Sequence, residues 1–284
     1  MVKEKISDDI VYCQRRFKII TQHERHLIFT DLDETLYDHN DPEHYWFHKL
    51  EEYLKLIRIR NHAVFGIVTG CNLEETKTKI KDLNMHLLPD FISVGFGTDI
   101  YYRYNHNAYI EDLKWKKSLM SLYNKSIIER ILNELKKHDI HLVKEDRSDN
   151  VLKDSYYYFV SDPEHDKFNL RIINLIAYYF KIKAIISKCN TNIGDPCNAY
   201  DIDFVPYNSG KDNVAKYLTK NHSIHKNNVF AFGDSENDLT LLKTFPHGYA
   251  VSNATDNLKK YINKVCKYNH CRGILDTLQR HFGD

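Results

Sequence analysis

The feature that most constrains the fold of this chain is a repeated local unit, in which a short apolar run leads into a polar turn and then into the start of a helix. Short, continuous runs of this kind that alternate with helices are typical of a parallel sheet covered on both faces. The sequence therefore predicts an α/β fold with a parallel sheet. The five runs are His26–Thr30, Ala63–Val68, Phe91–Val94, Ile202–Pro206 and Val229–Phe232.

Two of the polar turns carry a capping box, a residue pair that marks the start of a helix. Asn72 is followed three residues later by Glu75, and we expect that helix to run to about Leu83. Ser235 and Asp238 form the same pattern after the last run. Both patterns place a helix N-terminus directly beyond a predicted strand.

The turn after Ile202–Pro206 contains Ser209, Gly210 and Lys211. We expect the side chain of Ser209 to cap a helix there, because serine is a favoured N-cap residue. Lys211 would then lie in the first turn of that helix, close to a strand end.

The stretch from about residue 113 to residue 204 has a different pattern. It contains two predicted helices, Ser126–Lys137 and Asp166–Phe180, and two predicted strands, Ser155–Val160 and Ala184–Ser187. We therefore predict an α+β domain at residues 113–204, inserted between two core segments at residues 1–112 and 205–284.

Composition excludes several classes of function. Forty basic and 39 acidic residues give a net charge of +1, which argues against binding nucleic acid or an acidic membrane by bulk charge. The chain has no apolar run of the length that a membrane-spanning helix needs, and it has no signal-peptide pattern. Its six cysteines form no C-x-x-C pair, so we expect free thiols in a cytoplasmic protein.

Polar side chains collect at the ends of the predicted strands. In an open parallel sheet the ligand crevice lies beyond the carboxyl ends of the strands. Carboxylate oxygens suit Mg²⁺, whereas a lysine and helix N-termini suit a phosphate group. This combination is typical of phosphoryl transfer, in which one aspartate can attack phosphorus and another acid can move the proton. The residues expected to converge are Asp31, Asp33, Thr69, Lys211, Asp234 and Asp238.

With these motifs the sequence resembles the haloacid dehalogenase (HAD) superfamily of phosphohydrolases. The first and last motifs are specific to this superfamily. The two motifs between them become informative only because of their order along the chain. The motifs are Asp31-Leu32-Asp33-Glu34-Thr35, Thr69-Gly70, Lys211 and Gly233-Asp234-Ser235-Glu236-Asn237-Asp238.

The resemblance implies a Rossmann-like parallel-sheet core and a role for each matching residue. It makes Asp31 the nucleophile that becomes phosphorylated and Asp33 the general acid and base. It makes Thr69, with Gly70, the phosphate-binding turn, and Lys211 the cation that neutralises the phosphate. An aspartate at position 33 favours the hydrolysis of a phosphate ester over dehalogenation, because an alkoxide leaving group needs a proton donor.

The resemblance also implies a Mg²⁺ cofactor. Asp31 and Asp234 would hold the ion, the backbone carbonyl of Asp33 would be a further ligand, and Asp238 would be a ligand or would support one. Asn237 would orient the phosphate or Asp31.

Motif spacing indicates the branch of the superfamily. Only 37 residues separate Asp31 from Thr69, which leaves room for a helix at about Glu43–Ile57, whereas 141 residues separate Thr69 from Lys211. The large insertion therefore lies in the second insertion position and is similar to the C2B-type cap of the Cof-type and sucrose-phosphatase-like branch. Such a cap implies a small phosphorylated sugar as substrate.

The insertion is also similar to that of the bacterial kanosamine-6-phosphate phosphatases, in the segments Cys189–Pro196 and Tyr200–Pro206 and at Asp112-Leu113-Lys114-Trp115. Kanosamine carries an ammonium group on its ring, so a carboxylate in the cap would be useful. The candidates for contact with the sugar are Asp195, Asp201 and Asp203, together with Asn190 as a reader of hydroxyl groups.

Three alternatives stay open at this point. The substrate can be sucrose 6-phosphate or another hexose phosphate. The protein can be a catalytically silent sugar-phosphate binding protein on the same fold. The third alternative, a nucleotide-binding oxidoreductase, rests only on Gly95-Phe96-Gly97, which lacks the remaining glycine of the dinucleotide fingerprint. The oligomeric state is not indicated by the sequence.

Overall fold

The computed structural model describes residues 25–105, 108–121, 123–145, 151–189, 191 and 194–283. The strands of these residues are β1 (His26–Thr30), β2 (Ala63–Val68), β3 (Phe91–Val94), β4 (Asp99–Asn105), β5 (Ala108–Glu111), β6 (Val143–Lys144), β7 (Asp154–Phe159), β8 (Ile182–Lys188), β9 (Ala199–Pro206), β10 (Val229–Gly233) and β11 (His247–Ala250). The α-helices are α1 (Tyr45–Asn61), α2 (Leu73–Asp82), α3 (Leu113–Met120), α4 (Lys125–Lys136), α5 (Pro163–Tyr179), α6 (Lys211–Asn221), α7 (Leu239–Thr244), α8 (Asp256–Lys259) and α9 (His270–Phe282).

The larger sheet has seven strands in the order β11-β10-β1-β2-β3-β4-β5. The first five of these pair in parallel, and every residue of β2 and β3 is buried. Strands β4 and β5 pair antiparallel and extend the sheet at one edge. This hairpin was not predicted, because its tyrosine-rich, half-exposed strands lack the continuous apolar run that marked the buried ones.

The smaller sheet has four antiparallel strands in the order β6-β7-β9-β8. Its strand β9 contains Ile202–Pro206, so the prediction that this run is a strand of the parallel sheet is wrong. The central strand of an antiparallel sheet buried on both faces has the same apolar sequence as a buried parallel strand. The run alone therefore could not reveal which sheet it joins.

Helices α4 and α5 pack together on one face of the smaller sheet. The Tyr158 hydroxyl, on β7, donates to Asp166 Oδ1 at 2.6 Å and accepts a hydrogen bond from Asn169 Nδ2 at 2.9 Å, and both partners belong to α5. Since side chains alternate along a strand, Ser155 and Tyr157 lie on the opposite face.

That opposite face is turned toward the parallel sheet. The Lys183 ammonium, on β8, donates to the Ser209 carbonyl at 2.7 Å. The Lys153 ammonium lies 5.6 Å from the centre of the Phe96 ring, which belongs to the turn after β3. The smaller sheet therefore lies over the carboxyl ends of the parallel strands. The domain boundaries at residues 112/113 and 204/205 stay a prediction, and β9 itself runs to Pro206.

Capping interactions fix the helices that begin beside these strand ends. The Asn72–Glu75 capping box is confirmed and opens α2, and the Ser235–Asp238 box is confirmed at a 3₁₀ turn before α7. The prediction that Ser209 caps α6 is wrong, because its hydroxyl donates to the Pro206 carbonyl at 2.7 Å.

The N-cap of α6 is Gly210, whose φ of 129° is rarely adopted by residues with a side chain. A Cβ at this position would also lie 2.6 Å from the Lys183 ammonium. The glycine therefore permits both the backbone turn into α6 and the approach of β8.

Helices α1 and α9 pack against each other, and α1 also packs against β2 of the parallel sheet. Among the described residues, no helix has both the length and the apolar character needed to cross a bilayer.

Candidate active site

Asp31 lies directly beyond β1, and its backbone N–H donates to the Phe232 carbonyl of β10 at 2.9 Å. Lys211 is the first residue of α6, and its side chain is 2% exposed. The lysine ammonium lies 2.8 Å from Asp31 Oδ1 and 2.7 Å from Asp238 Oδ1. The structure thus brings together three residues that the sequence predicted to converge, although Lys211 follows a strand of the other sheet.

Asp238 is fully buried and holds the turn after β10. Its Oδ2 accepts hydrogen bonds from the backbone N–H groups of Asp234 and Ser235, at 3.1 and 3.2 Å. The Thr35 hydroxyl donates to Asp234 Oδ1 at 3.2 Å. Asp238 therefore pairs with Lys211 and also fixes the backbone that carries Asp234.

Oxygen atoms of Asp31, Asp234 and Asp238 lie within 4.8 Å of one another. Burial, together with the charge of Asp238, raises the pKa of Asp31 to about 7. Burial, together with the charge of Asp31, raises the pKa of Asp234 to about 9. Burial acts to lower the pKa of Lys211, but Asp238 and Asp31 outweigh it and raise that pKa.

Burial and the excess negative charge of three carboxylates beside one ammonium together favour the protonated forms of Asp31 and Asp234. A divalent cation would offset that charge, and an oxygen-only donor set is the kind that Mg²⁺ prefers. The residues present therefore fit a Mg²⁺ ion.

The turn after β2 lies beside the turn after β1, because these two strands are parallel neighbours. The Thr69 hydroxyl, which is buried, accepts a hydrogen bond from the Cys71 N–H at 3.1 Å. A Cβ on Gly70 would lie 2.4 Å from the Phe96 ring, so the close approach of that ring requires glycine. Thr69 and Gly70 thus form a tight turn next to Asp31.

Asn237 lies in the 3₁₀ turn before α7. Its side-chain Oδ1 is buried and has no hydrogen-bond partner among the described residues. A buried carbonyl oxygen without a partner is uncommon in native proteins, and the role predicted for Asn237 stays a prediction.

Asp33 is held by three side chains that the sequence analysis did not identify. The Lys79 ammonium lies 2.5 Å from Asp33 Oδ1, His39 Nε2 lies 3.0 Å from the same oxygen, and the Cys71 thiol donates to Oδ2 at 3.0 Å. Burial acts to raise the pKa of Asp33, but Lys79 and the other donors outweigh it and lower that pKa. Lys79 is one of several lysines on α2, so its spacing from the motif carried no signal.

The predicted sugar-contacting carboxylates of β9, Asp201 and Asp203, lie two residues apart and therefore share a face. They pair with the opposite-face residues Tyr157 and Ser155, so they lie on the face turned toward the parallel sheet. Asp203 Oδ1 accepts a hydrogen bond from the Ser155 hydroxyl at 2.5 Å and lies 3.1 Å from the Lys153 ammonium. The sequence did not identify Lys153 as a partner of Asp203, because a lysine next to an aromatic strand has no distinctive pattern.

Asp201 and Asp195 form a second cluster with Cys189, in which candidate ligand atoms lie within 4.8 Å of one another. Burial, together with the charge of Asp195, raises the pKa of Asp201 to about 7. This end of the smaller sheet therefore carries an excess of negative charge. Asn190, the fourth predicted sugar contact, lies outside the described residues.

Residues 24–283 match the model of the family described as sucrose-6F-phosphate phosphohydrolase. The chain belongs to this family. It is 30% identical over 266 residues to the kanosamine-6-phosphate phosphatase of Bacillus subtilis (strain 168), a match that covers 92% of this chain and 94% of the relative.

Two solved structures share the fold of this chain. A haloacid dehalogenase-like hydrolase from Bacillus subtilis superposes with a TM-score of 0.74 at 30% identity, over 92% of this chain and 93% of the other. The sucrose-phosphatase of Synechocystis sp., solved with sucrose and phosphate, superposes with a TM-score of 0.72 at 21% identity, over 91% and 98% of the two chains.

As a member of the sucrose-6F-phosphate phosphohydrolase family, the protein is a phosphoric monoester hydrolase of the HAD superfamily. The family resemblance and the α/β fold class predicted from the motifs are confirmed.

Proposed function

We propose that this protein is a Mg²⁺-dependent phosphatase that hydrolyses a small sugar phosphate of the hexose 6-phosphate type through an aspartyl-phosphate intermediate. The observation that carries the proposal is the buried cluster in which Lys211 bridges Asp31 and Asp238. A buried aspartate beside a cation and a possible metal site is equipped to attack a phosphate dianion. Kanosamine 6-phosphate is the leading candidate substrate, and sucrose 6-phosphate or another sugar phosphate is the alternative.

In the first step, an oxygen of Asp31 forms a bond to phosphorus while the bond from phosphorus to the sugar oxygen breaks. The electron pair of the broken bond stays on the sugar oxygen, which takes a proton from Asp33. In the second step, Asp33 takes a proton from water, and the water oxygen attacks phosphorus. The bond between Asp31 and phosphorus then breaks and releases inorganic phosphate.

The remaining residues bind and orient the phosphate. Thr69 and Gly70 offer a hydroxyl and a backbone N–H at the end of β2, and Lys211 balances phosphate charge. Asn237 would orient the phosphate or Asp31 through the N–H donors of its side chain, since its buried Oδ1, which has no partner among the described residues, can only accept. A Mg²⁺ ion held by Asp31, Asp234 and Asp238, with the Asp33 carbonyl, would supply electrostatic stabilisation of the charge on the transferred phosphoryl group.

The smaller sheet, acting as a cap, would select the leaving group. Its face toward the core carries Asp201 beside Asp195, where burial and the charge of Asp195 raise the pKa of Asp201 to about 7. An ammonium group on a sugar ring would offset the negative charge of these two carboxylates. Asp203 is already paired with Lys153, so in sugar recognition it would supply a polar surface of defined shape more than a negative charge.

The nucleophile is tested with Asp31→Asn, which removes the attacking charge but keeps the size of the side chain. We expect Mg²⁺-dependent release of phosphate from glucose 6-phosphate to fall by at least about 10³-fold. Asp256→Asn, at an exposed position in α8, is the matched control and should keep full activity. Activity retained in Asp31→Asn would overturn the assignment, and an inactive wild-type protein would favour the silent sugar-phosphate binding protein.

The substrate is tested with a panel of neutral and amino-sugar phosphates. Asp201→Asn should lower kcat/KM for kanosamine 6-phosphate by about tenfold relative to glucose 6-phosphate, because it removes an attraction worth about 1.4 kcal/mol. Asp139→Asn is the control, since that side chain is 99% exposed and pairs with the exposed His141 after the end of α4. An equal change of kcat/KM for both sugar phosphates would show that Asp201 does not bind the ammonium group.

A further inference from the structure

The carboxylate of Asp33 is enclosed by side chains from three separate segments. Lys79 belongs to α2, Cys71 to the turn after β2, and His39 to the loop between β1 and α1. The Lys79 ammonium also lies 3.4 Å from Cys71 Sγ, so the lysine contacts both Asp33 and the thiol that binds it. Both oxygens of Asp33 are therefore fixed by partners outside its own motif.

These contacts tie Asp33 to the turn proposed to bind the phosphate. The Cys71 thiol donates to Asp33 Oδ2, and the Cys71 backbone N–H donates to the Thr69 hydroxyl. Helix α2 is itself fixed at its start by the Asn72–Glu75 capping box. Lys79 therefore extends from a rigid element, and its side chain is only 20% exposed.

We propose that Lys79 is a positioning residue, which with Cys71 holds the carboxyl group of Asp33 beside the phosphate-binding turn so that it can exchange a proton with the leaving oxygen. This inference rests on the proposed function, because it needs Asp33 to be the general acid. Lys79 itself makes no contact with substrate in this scheme. Its effect should therefore depend on how much the leaving group needs a proton.

The leaving group provides a readout that a purely structural role would not change. A sugar alkoxide is a poor leaving group and needs the proton from Asp33, whereas p-nitrophenolate leaves without one. A variant that misplaces Asp33 should therefore lower kcat/KM, which covers binding and the first step, for a hexose 6-phosphate and keep it for p-nitrophenyl phosphate. The attack of water in the second step uses Asp33 with either substrate and affects only kcat. General acid catalysis contributes about 10²- to 10⁴-fold, which leaves a wide range for this difference.

The experiment compares Lys79→Met and Lys79→Arg with the wild-type protein on glucose 6-phosphate and p-nitrophenyl phosphate. Because misplacing the acid loses part of that factor, we expect Lys79→Met to lower kcat/KM on glucose 6-phosphate at least about tenfold. Its kcat/KM on p-nitrophenyl phosphate should stay within about twofold. Lys79→Arg should restore most of the loss, since it keeps a cation near Asp33.

Lys77→Met is the matched control, because Lys77 lies on the same helix, pairs with Glu74 and is 49% exposed. It should leave both activities unchanged. Equal losses of kcat/KM on both substrates in Lys79→Met would show that Lys79 binds phosphate or maintains the fold, and no loss would show that it is dispensable. Either result overturns the positioning role. Activity retained in Asp31→Asn is a separate outcome, which overturns the proposed function itself.

Discussion

The excess negative charge at the proposed metal site should make the stability of the metal-free protein depend on pH through Asp234. Its pKa is raised from 3.8 to about 9 in the folded state, so the folded protein binds a proton there that the unfolded chain has lost at neutral pH. Stability should therefore fall as the pH rises from about 4 toward 9. Asp234→Asn keeps an oxygen to accept the hydrogen bond from Thr35 and removes this titration.

The size of the effect follows from linkage. One extra proton in the folded state costs about 1.4 kcal/mol of stability for each pH unit of rise. Between pH 5 and pH 7, Asp234→Asn should gain roughly 3 kcal/mol of stability relative to the wild-type protein. For a chain of this size, that difference corresponds to roughly 5 °C in Tm.

The assay is urea unfolding followed by circular dichroism, with a chelator, at pH 5, 6 and 7. Parallel stability curves for wild-type protein and Asp234→Asn would refute the argument, because they would mean that Asp234 titrates alike in both states. In a second series, Mg²⁺ at a hundredfold excess over its Kd should stabilise the wild-type protein by about 2.7 kcal/mol. The same addition should have little effect on Asp234→Asn.

Two further predictions concern packing around the site. Gly70→Ala places a Cβ 2.4 Å from the Phe96 ring, so it should cost about 1–3 kcal/mol of stability in urea unfolding. It should also lower kcat, and an unchanged kcat would mean that this turn does not bind the phosphate. Trp115→Phe removes the 3.0 Å hydrogen bond from the indole N–H to the Gly97 carbonyl. This change should cost about 1–3 kcal/mol by the same assay, and a smaller loss would mean that water replaces the indole.

Local signals predicted most of the elements. Strands β1, β2 and β3 begin and end at the predicted residues, because a fully buried strand requires an uninterrupted apolar run. The capping boxes at Asn72 and Ser235 were also right, since both partners of such a box lie within four residues. Ser209 was assigned wrongly because its hydroxyl has two nearby backbone groups to bind, and only the folded loop selects one of them.

The sheet to which a strand belongs was not a local property. Strand β9 has the apolar sequence of a core strand, but it pairs with β7 and β8, whose residues lie tens of positions away. The hairpin of β4 and β5 was missed for the opposite reason, because its strands are half-exposed and carry no clear apolar pattern.

The sequence by itself determined the family, the parallel sheet and the acids that follow its strands, because short local motifs encode each of these features. Only the tertiary structure decided which side chains contact those acids. The pairs Asp33–Lys79 and Ser155–Asp203 span 46 and 48 residues, and Lys211 reaches Asp31 from a helix that follows a strand of the other sheet. Such contacts depend on how whole elements pack, and no spacing along the chain encodes that packing.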